Sequence, residues 1–413
     1  METYGHKVLR FLVEGKFLRH SITRLEEEID RYLGILARKI LFRNAEVCKN
    51  KIFFFTFQGD YTCNPKYICE ELLRQGIDCD IIWGVRLLTL NKAYELPRKL
   101  RLVDRYTIKF YEEMATSKIW ILNSVEVFKN PLYKKDNQIL IETWHGSLGL
   151  KRFDKQVNEG KAWVKAAELC GQMADYCISN SDFENGVYRG TFWKKTEILK
   201  YGHPRNDILF VQGEAKDRII SEIKKRYDET EEDVRYILYA PTFRDSHNFD
   251  CYNLRYDRLI SAVQEKFGGK WKVLVRFHPT VRDFSKNILA QNDDVKDVTD
   301  YPDIQEIMLL ADVAVTDYSS WIYDFVLTRK PGFIFATDLA QYNNERGFYY
   351  KLEKTPFMVA INNSEMVNNI KNFDENVYRK KVEEFLAEKG CIEDGQASRR
   401  IVDKIKEIIG DAK

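Results

Sequence analysis

Apolar residues recur at helical spacing from the start of the chain. Leu9, Leu12, Phe17, Ile22, Leu25 and Ile29 are three to five residues apart, which predicts helix through the first fifty positions. Residues 31–43 extend the pattern. They carry Arg31, Arg38, Lys39 and Arg43 beside Leu33, Ile35, Leu36, Ile40, Leu41 and Phe42, with no acidic side chain. Such a helix has an apolar strip flanked by cations. It suits a lipid interface, and it suits docking on its own domain equally well.

From residue 51 the period changes. Continuous apolar runs at 51–57, 79–85, 119–123, 139–143 and 176–180 alternate with helical patterns, one of them opened by Asn64-Pro65. A charged helical stretch at 213–232 precedes further runs at 234–240, 271–276, 313–316 and 332–336, and two helices close the chain at 376–388 and 396–409. Strands that read as unbroken apolar runs between helices belong to mostly parallel sheets covered on both faces. The expected fold is α/β, with two Rossmann-like, doubly wound domains. The expected division is an N-terminal helical segment at 1–48, domains at 49–212 and 213–392, and a C-terminal helix at 393–413. Two such domains facing one another place a cleft at the carboxyl ends of their strands.

Composition narrows the class. The 413 residues are 44% hydrophobic and 31% charged, enough for ordinary packed cores, and no run of about 18 apolar residues offers a spanning helix. The formal net charge of +2 argues against nucleic acid as a partner held by bulk electrostatics. An anionic ligand must then be held by local groups. Eight scattered cysteines form no CxxC pair and no metal-ligand spacing, which fits reduced thiols in a cytoplasmic protein without a metal.

The candidate chemistry lies just after the strands. In the first half, Trp144-His145-Gly146-Ser147 follows one run and Tyr201-Gly202-His203-Pro204-Arg205-Asn206-Asp207 follows another. A histidine at a strand end before glycine can face a cleft while the backbone turns. A structural histidine in a turn is the commoner use of such a residue. Arg205 can reach a phosphate, although the same motif also reads as a plain helix start. In the second half, Pro241-Thr242-Phe243-Arg244 and Arg276-Phe277-His278-Pro279 end successive strands, and Ser319-Ser320 opens a helix after a third. Free amides at a helix start bind anions, while serine there is most often an ordinary cap. Singly each cluster is unremarkable as chemistry, but together they ring one predicted cleft.

The set WHGS, YGHPRND, YAPTFRD, RFHP and TDYSSWIYDF, followed by Asp338, Tyr342 and Glu345-Arg346-Gly347, resembles the CDP-glycerol glycerophosphotransferase family of teichoic-acid and capsule enzymes, in order, from about residue 50 to about 350. The resemblance implies a metal-independent transferase of the GT-B type with no cofactor. It would be cytoplasmic and peripheral to the inner face of the cell membrane, moving glycerol phosphate or a related polyol phosphate from a CDP-activated donor to a lipid-linked or polymeric polyol-phosphate or glycan acceptor. The first domain would then lie on the acceptor side and the second on the nucleotide side. Where that family carries Thr-Pro after His-Gly, this chain has Ser147-Leu148, a difference that bears on the acceptor or the polyol.

By the same resemblance His145 takes the acceptor proton, and His278 and Arg276 stabilise the departing phosphate. Ser319 and Ser320 cradle the pyrophosphate, while Arg205 reaches a phosphate across the cleft. Pro241, Thr242 and Arg244 line the nucleotide pocket, Gly146 and Ser147 shape the substrate loop, and Asp324 orients a ligand or a neighbouring cation. A GT-B glycosyltransferase using a UDP- or CMP-sugar would share the fold, and donor hydrolysis assays separate the two. An inactive module binding anionic polymers would have lost the histidine and arginine set, which is intact here.

Overall fold

The computed structural model describes residues 32–86, 96–129, 134–149, 151–153, 161–242, 244, 250–277, 293–339, 342 and 347–410. Residues 1–31, including the apolar series from Leu9 to Ile29, lie outside them, as do His278, Glu345 and Arg346.

Among the described residues the strands form two wholly parallel sheets. The first contains β1 (Cys48–Phe55), β2 (Asp80–Val85), β3 (Arg101–Asp104), β4 (Ser117–Leu122), β5 (Ile139–Glu142), β6 (Tyr176–Ser179) and β7 (Glu197–Lys200), in the order β3-β2-β1-β4-β5-β6-β7. The second contains β8 (Val234–Tyr239), β9 (Lys270–Val275), β10 (Val295–Asp297), β11 (Val313–Thr316), β12 (Gly332–Phe335) and β13 (Met358–Ala360), in the order β10-β9-β8-β11-β12-β13. In each sheet the chain starts near the middle, winds to one edge and returns to wind to the other. The reversal leaves a crevice at the carboxyl ends of the central strands.

β1 shows why apolar runs make this architecture. Ile52, Phe53, Phe54 and Phe55 are all buried, yet alternate side chains point to opposite faces. Phe53 and Phe55 meet the edge of Phe110, from helix α2 (Ile108–Thr116), at 5.1 and 5.4 Å. Phe54 points the other way and stacks on Trp83 at 5.3 Å. That second face is covered by helix α1 (Cys63–Arg74), through Ile68 and Leu72, and by the last helix of the chain.

Helices α3 (Lys161–Met173) and α4 (Asp182–Gly190) complete the first half, and α5 (Glu214–Arg226) leads into the second. There α6 (Tyr256–Phe267), α7 (Ile304–Leu310), α8 (Trp321–Phe325), α9 (Asn363–Lys371) and α10 (Glu375–Glu388) accompany the strands. The last helix, α11 (Ala397–Ile409), then crosses back. Its stripe of Ile401, Val402, Ile405 and Ile409 belongs to the core of the first sheet rather than the second. Gly410 ends it in the left-handed conformation, with φ of +74°, where a Cβ is disfavoured.

The segment before β1 is helical from residue 32 and ends in a π-helical turn, Ala37–Leu41. Ala37 is buried in the first core and Leu33 packs beside it, while Tyr32, Leu36, Ile40 and Leu41 are exposed. One face of this segment therefore docks on the protein and another stays open.

Candidate active site

The loop after β5 brings His145 to the junction of the two halves. Thr143 extends the strand by donating its amide to the Leu122 carbonyl at 2.7 Å. Trp144 then adopts φ of +50°, the left-handed region that non-glycine residues seldom enter. Its amide donates to Oε1 of Glu142 at 2.8 Å. This carboxyl is completely buried, and burial pushes its pKa up to about 8.

His145 is exposed into a cavity of about 410 Å³, with protein packed around the rest of the ring. Its Nδ1 lies 2.7 Å from the Asn123 carbonyl. A carbonyl can only accept, so Nδ1 carries the proton and Nε2 is left with its lone pair. The enclosing protein lowers the imidazole pKa, and the nearby Arg205 charge adds to this against the opposing effect of the Asn123 carbonyl. The ring is therefore neutral at ordinary pH and able to accept a proton.

The cavity walls are aromatic, with Phe57, Trp144, Phe153, Trp163, Phe183 and Tyr349 among them. Gly146, Ser147 and Gly149 come from the His145 loop, Lys151 and Arg152 supply positive charge, and Ser320 reaches in from the second half. The two halves touch here. A Cβ on Gly149 would lie 3.3 Å from that of Ser320, and Lys151 Nζ donates to Thr242 Oγ1 at 3.4 Å.

Several residues expected at the ligand are held by contacts within the protein. Arg205 is 2% exposed, and its guanidinium is committed to protein. Nε lies 3.0 Å from Oδ2 of Asp324, and one terminal nitrogen donates to the Gly146 carbonyl at 2.6 Å. Through these two contacts it supports the His145 loop from behind. Asp324 orients this neighbouring cation, one of the two roles expected of it, and also accepts Nδ2 of Asn206 at 3.0 Å.

Arg244 is likewise held by acidic side chains. It pairs with Asp317 at 2.8 Å and with Asp338 at 2.7 Å, beside the stacked rings of Tyr318 and Tyr342. Arg276 donates to the carbonyls of Val298 and Tyr301, fixing the turn after β10. Pro241 is buried, whereas Thr242, Ser319 and Ser320 are half-buried. Of the expected site residues, the structure thus brings His145, Gly146, Ser147 and Ser320 to the cavity. Helix α8, which Ser320 precedes, has five residues, so its dipole is small.

A buried polar network underlies the loop. Asn180 donates to Ser147 Oγ at 3.2 Å and to Glu393 Oε1 at 3.1 Å. His203 Nε2 lies 3.0 Å from Glu184, whose carboxylate outweighs burial and raises the histidine pKa. His203 is thus a buried partner of Glu184, which itself lines the cavity.

Asn64, Asn123, Glu142, Lys151 and Arg152 have no part in the motifs read from the sequence. Lys151-Arg152 was legible as a basic pair after a glycine-containing loop. Asn64 and Asn123 meet the loop only across long stretches of sequence, and Glu142 takes the amide two residues on from a buried position that no local pattern marks.

Comparisons with known proteins agree with this architecture. The family model for CDP-glycerol:poly(glycerophosphate) glycerophosphotransferase matches residues 36–407. The teichoic acid glycerol-phosphate transferase of Staphylococcus aureus (strain NCTC 8325 / PS 47) is 31% identical over 86% of this chain and 93% of its own length. The teichoic acid poly(glycerol phosphate) polymerase of Bacillus subtilis (strain 168) is 27% identical over 96% of this chain, which spans 54% of that longer protein. A solved structure of the wall teichoic acid polymerase TagF is 27% identical, with a TM-score of 0.77 over 98% of both chains. The chain belongs to the CDP-glycerol:poly(glycerophosphate) glycerophosphotransferase family.

Proposed function

We propose that this protein transfers glycerol phosphate from CDP-glycerol to a hydroxyl of a lipid-linked or polymeric teichoic-acid acceptor, releasing CMP. The observation that carries the chemistry is His145 at a cavity at the junction of the halves, its Nδ1 proton held by the Asn123 carbonyl so that Nε2 keeps its lone pair. The acceptor oxygen attacks the β-phosphorus of the donor while its proton passes to Nε2. The bond from that phosphorus to the bridging oxygen breaks, and the electron pair leaves with CMP. Positioning and charge stabilisation supply most of the acceleration in such a transfer.

Lys151 and Arg152 are the cations beside the cavity, and in this reading they hold phosphate oxygens. Ser319 and Ser320 stand on the donor side with Thr242, and Gly146 and Ser147 shape the acceptor side. In the same reading His278, which lies outside the described residues, and Arg276 serve the leaving phosphate, Arg276 through the turn it fixes.

No helix of the described residues is long and apolar enough to cross a membrane. Attachment to the inner face of the cell membrane would run through the segment before β1, whose exposed Tyr32, Leu36, Ile40 and Leu41 support it.

The test is incubation with CDP-glycerol, CDP-ribitol and UDP-sugars plus a lipid-linked acceptor analogue, following release of CMP or UDP. Acceptor-dependent CMP release from CDP-glycerol is expected. Turnover of a UDP-sugar alone would favour a glycosyltransferase.

A further inference from the structure

Two non-glycine residues in the left-handed region are joined through one buried side chain. Cys63, at the start of α1, has φ of +59°, and Trp144, directly before His145, has φ of +50°. Such conformations are costly for side chains of this size and persist where the surroundings over-determine them.

Asn64 follows Cys63 and has no exposed surface. Its Nδ2 donates to the carbonyl of Thr143 at 2.9 Å and to that of Trp144 at 3.2 Å, and its Oδ1 accepts the amide of Arg205 at 3.1 Å. An asparagine at a helix start ordinarily turns back to bond nearby amides. The N-terminus of α1 has no side-chain cap at Thr62, and Asn64 is directed entirely at the loop and at Arg205.

We propose that Asn64 is a positioning residue for the transfer reaction. It fixes the two peptide units before His145, so that Nε2 faces the acceptor hydroxyl within proton-transfer reach. The inference rests on the reading of His145 as the base. Proton transfer needs heavy atoms about 2.6–3.2 Å apart, and a displacement of about 1 Å can cost about a hundredfold in rate. A hydrogen-bonded residue holding both carbonyls next to the strained Trp144 therefore acts on kcat. Asn64 bonds to none of the groups assigned to the donor's phosphates, Lys151, Arg152, Ser319 and Ser320.

The test uses the full-length protein with CDP-glycerol and a lipid-linked acceptor analogue. Asn64→Asp keeps the shape but sets an acceptor against two carbonyls, Asn64→Ala removes all three bonds, and Asn64→Ser can restore one. Expected are a fall in kcat of about tenfold or more for Asp and Ala, donor KM within about twofold, and partial recovery for Ser. A cooperative melt above the assay temperature should accompany these changes. Normal kcat, a proportional rise in donor KM, or a loss that follows the unfolded fraction each overturns the inference. His145→Ala is measured in parallel. If it turns over normally, the base assignment falls and the positioning role with it. If it is inactive while Asn64→Ala is normal, only the positioning role falls.

Discussion

Arg205 and Asp324 meet across the boundary between the two sheets, with Nε 3.0 Å from Oδ2 and each residue 2% exposed. The arginine belongs to the segment after β7 and the carboxylate to α8, directly after Ser320. Because Arg205 also holds the Gly146 carbonyl, the pair ties the His145 loop to the second half.

Breaking this pair should affect stability before catalysis. Arg205→Ala leaves a buried carboxylate without its cation, a loss of about 3–5 kcal/mol. Replacing both partners, by Arg205→Met with Asp324→Leu, should restore much of it, since an apolar pair leaves no charge uncompensated. Urea denaturation of the three proteins measures this. A normally stable Arg205→Ala protein with weakened donor binding would instead return Arg205 to the phosphate.

His145→Ala should lose about 10²–10⁴-fold in turnover while binding CDP-glycerol normally by calorimetry, because a base acts in the transition state. In the unsubstituted protein, the lowered imidazole pKa keeps the base neutral to a more acid pH than an ordinary histidine. The acid limb of the kcat profile should therefore lie below about pH 6.5. A limb at higher pH would mean that another group titrates.

Replacing Lys151 and Arg152 by Met should raise KM for an anionic substrate. Charge-assisted hydrogen bonds are worth about 1.5–3 kcal/mol each, so a rise of about tenfold or more per residue is expected. Unchanged KM for both donor and acceptor would remove these cations from the site.

Glu142 makes a prediction about pH and stability. Its pKa of about 8 in the folded state stands above the ordinary glutamate value, so the folded protein holds a proton that the unfolded chain releases. Stability contributed at this position falls as pH rises from about 4.3 to about 8, by at most about 1.4 kcal/mol per pH unit. Glu142→Gln keeps an acceptor for the Trp144 amide but cannot ionise. Its urea midpoint should gain on the unsubstituted protein between pH 5 and pH 8. A constant difference across that range would show that Glu142 does not titrate there.

Removal of residues 1–45 should weaken sedimentation with liposomes containing acidic lipid, and raised salt should weaken binding of the full chain. Each basic residue near such a surface contributes about 1 kcal/mol, alongside insertion of exposed side chains such as Ile40 and Leu41. Salt-insensitive partitioning that is equal for both proteins would place the membrane contact elsewhere.

Much of the fold was legible in the chain. The runs around Phe53-Phe54-Phe55, Ile237-Leu238 and Val313-Ala314-Val315 lie in central strands buried on both faces. Such strands must be apolar at every position, and this marks them locally. The four strands that carried no such mark, β3, β7, β10 and β13, are short edge strands of three or four residues. Partly exposed residues there, such as Leu102, Lys296 and Met358, break the apolar run, and pairing with a neighbour defines them.

The site divides along the same line. His145, Gly146 and Ser147 were visible because a strand end followed by glycine is a local pattern, and the parallel winding sends every strand end to one crevice. The partners of Arg205 and Arg244 were not visible. A guanidinium binds whichever anion the fold brings within reach, and Asp324 and Asp338 lie 119 and 94 residues further along the chain. The sequence by itself determined two parallel sheets and a histidine at their cleft. Only the tertiary structure decided which arginines were consumed in buried ion pairs, that Asn64 holds the histidine's loop, and that the last helix closes the first core, because these depend on long-range distances that no local pattern encodes.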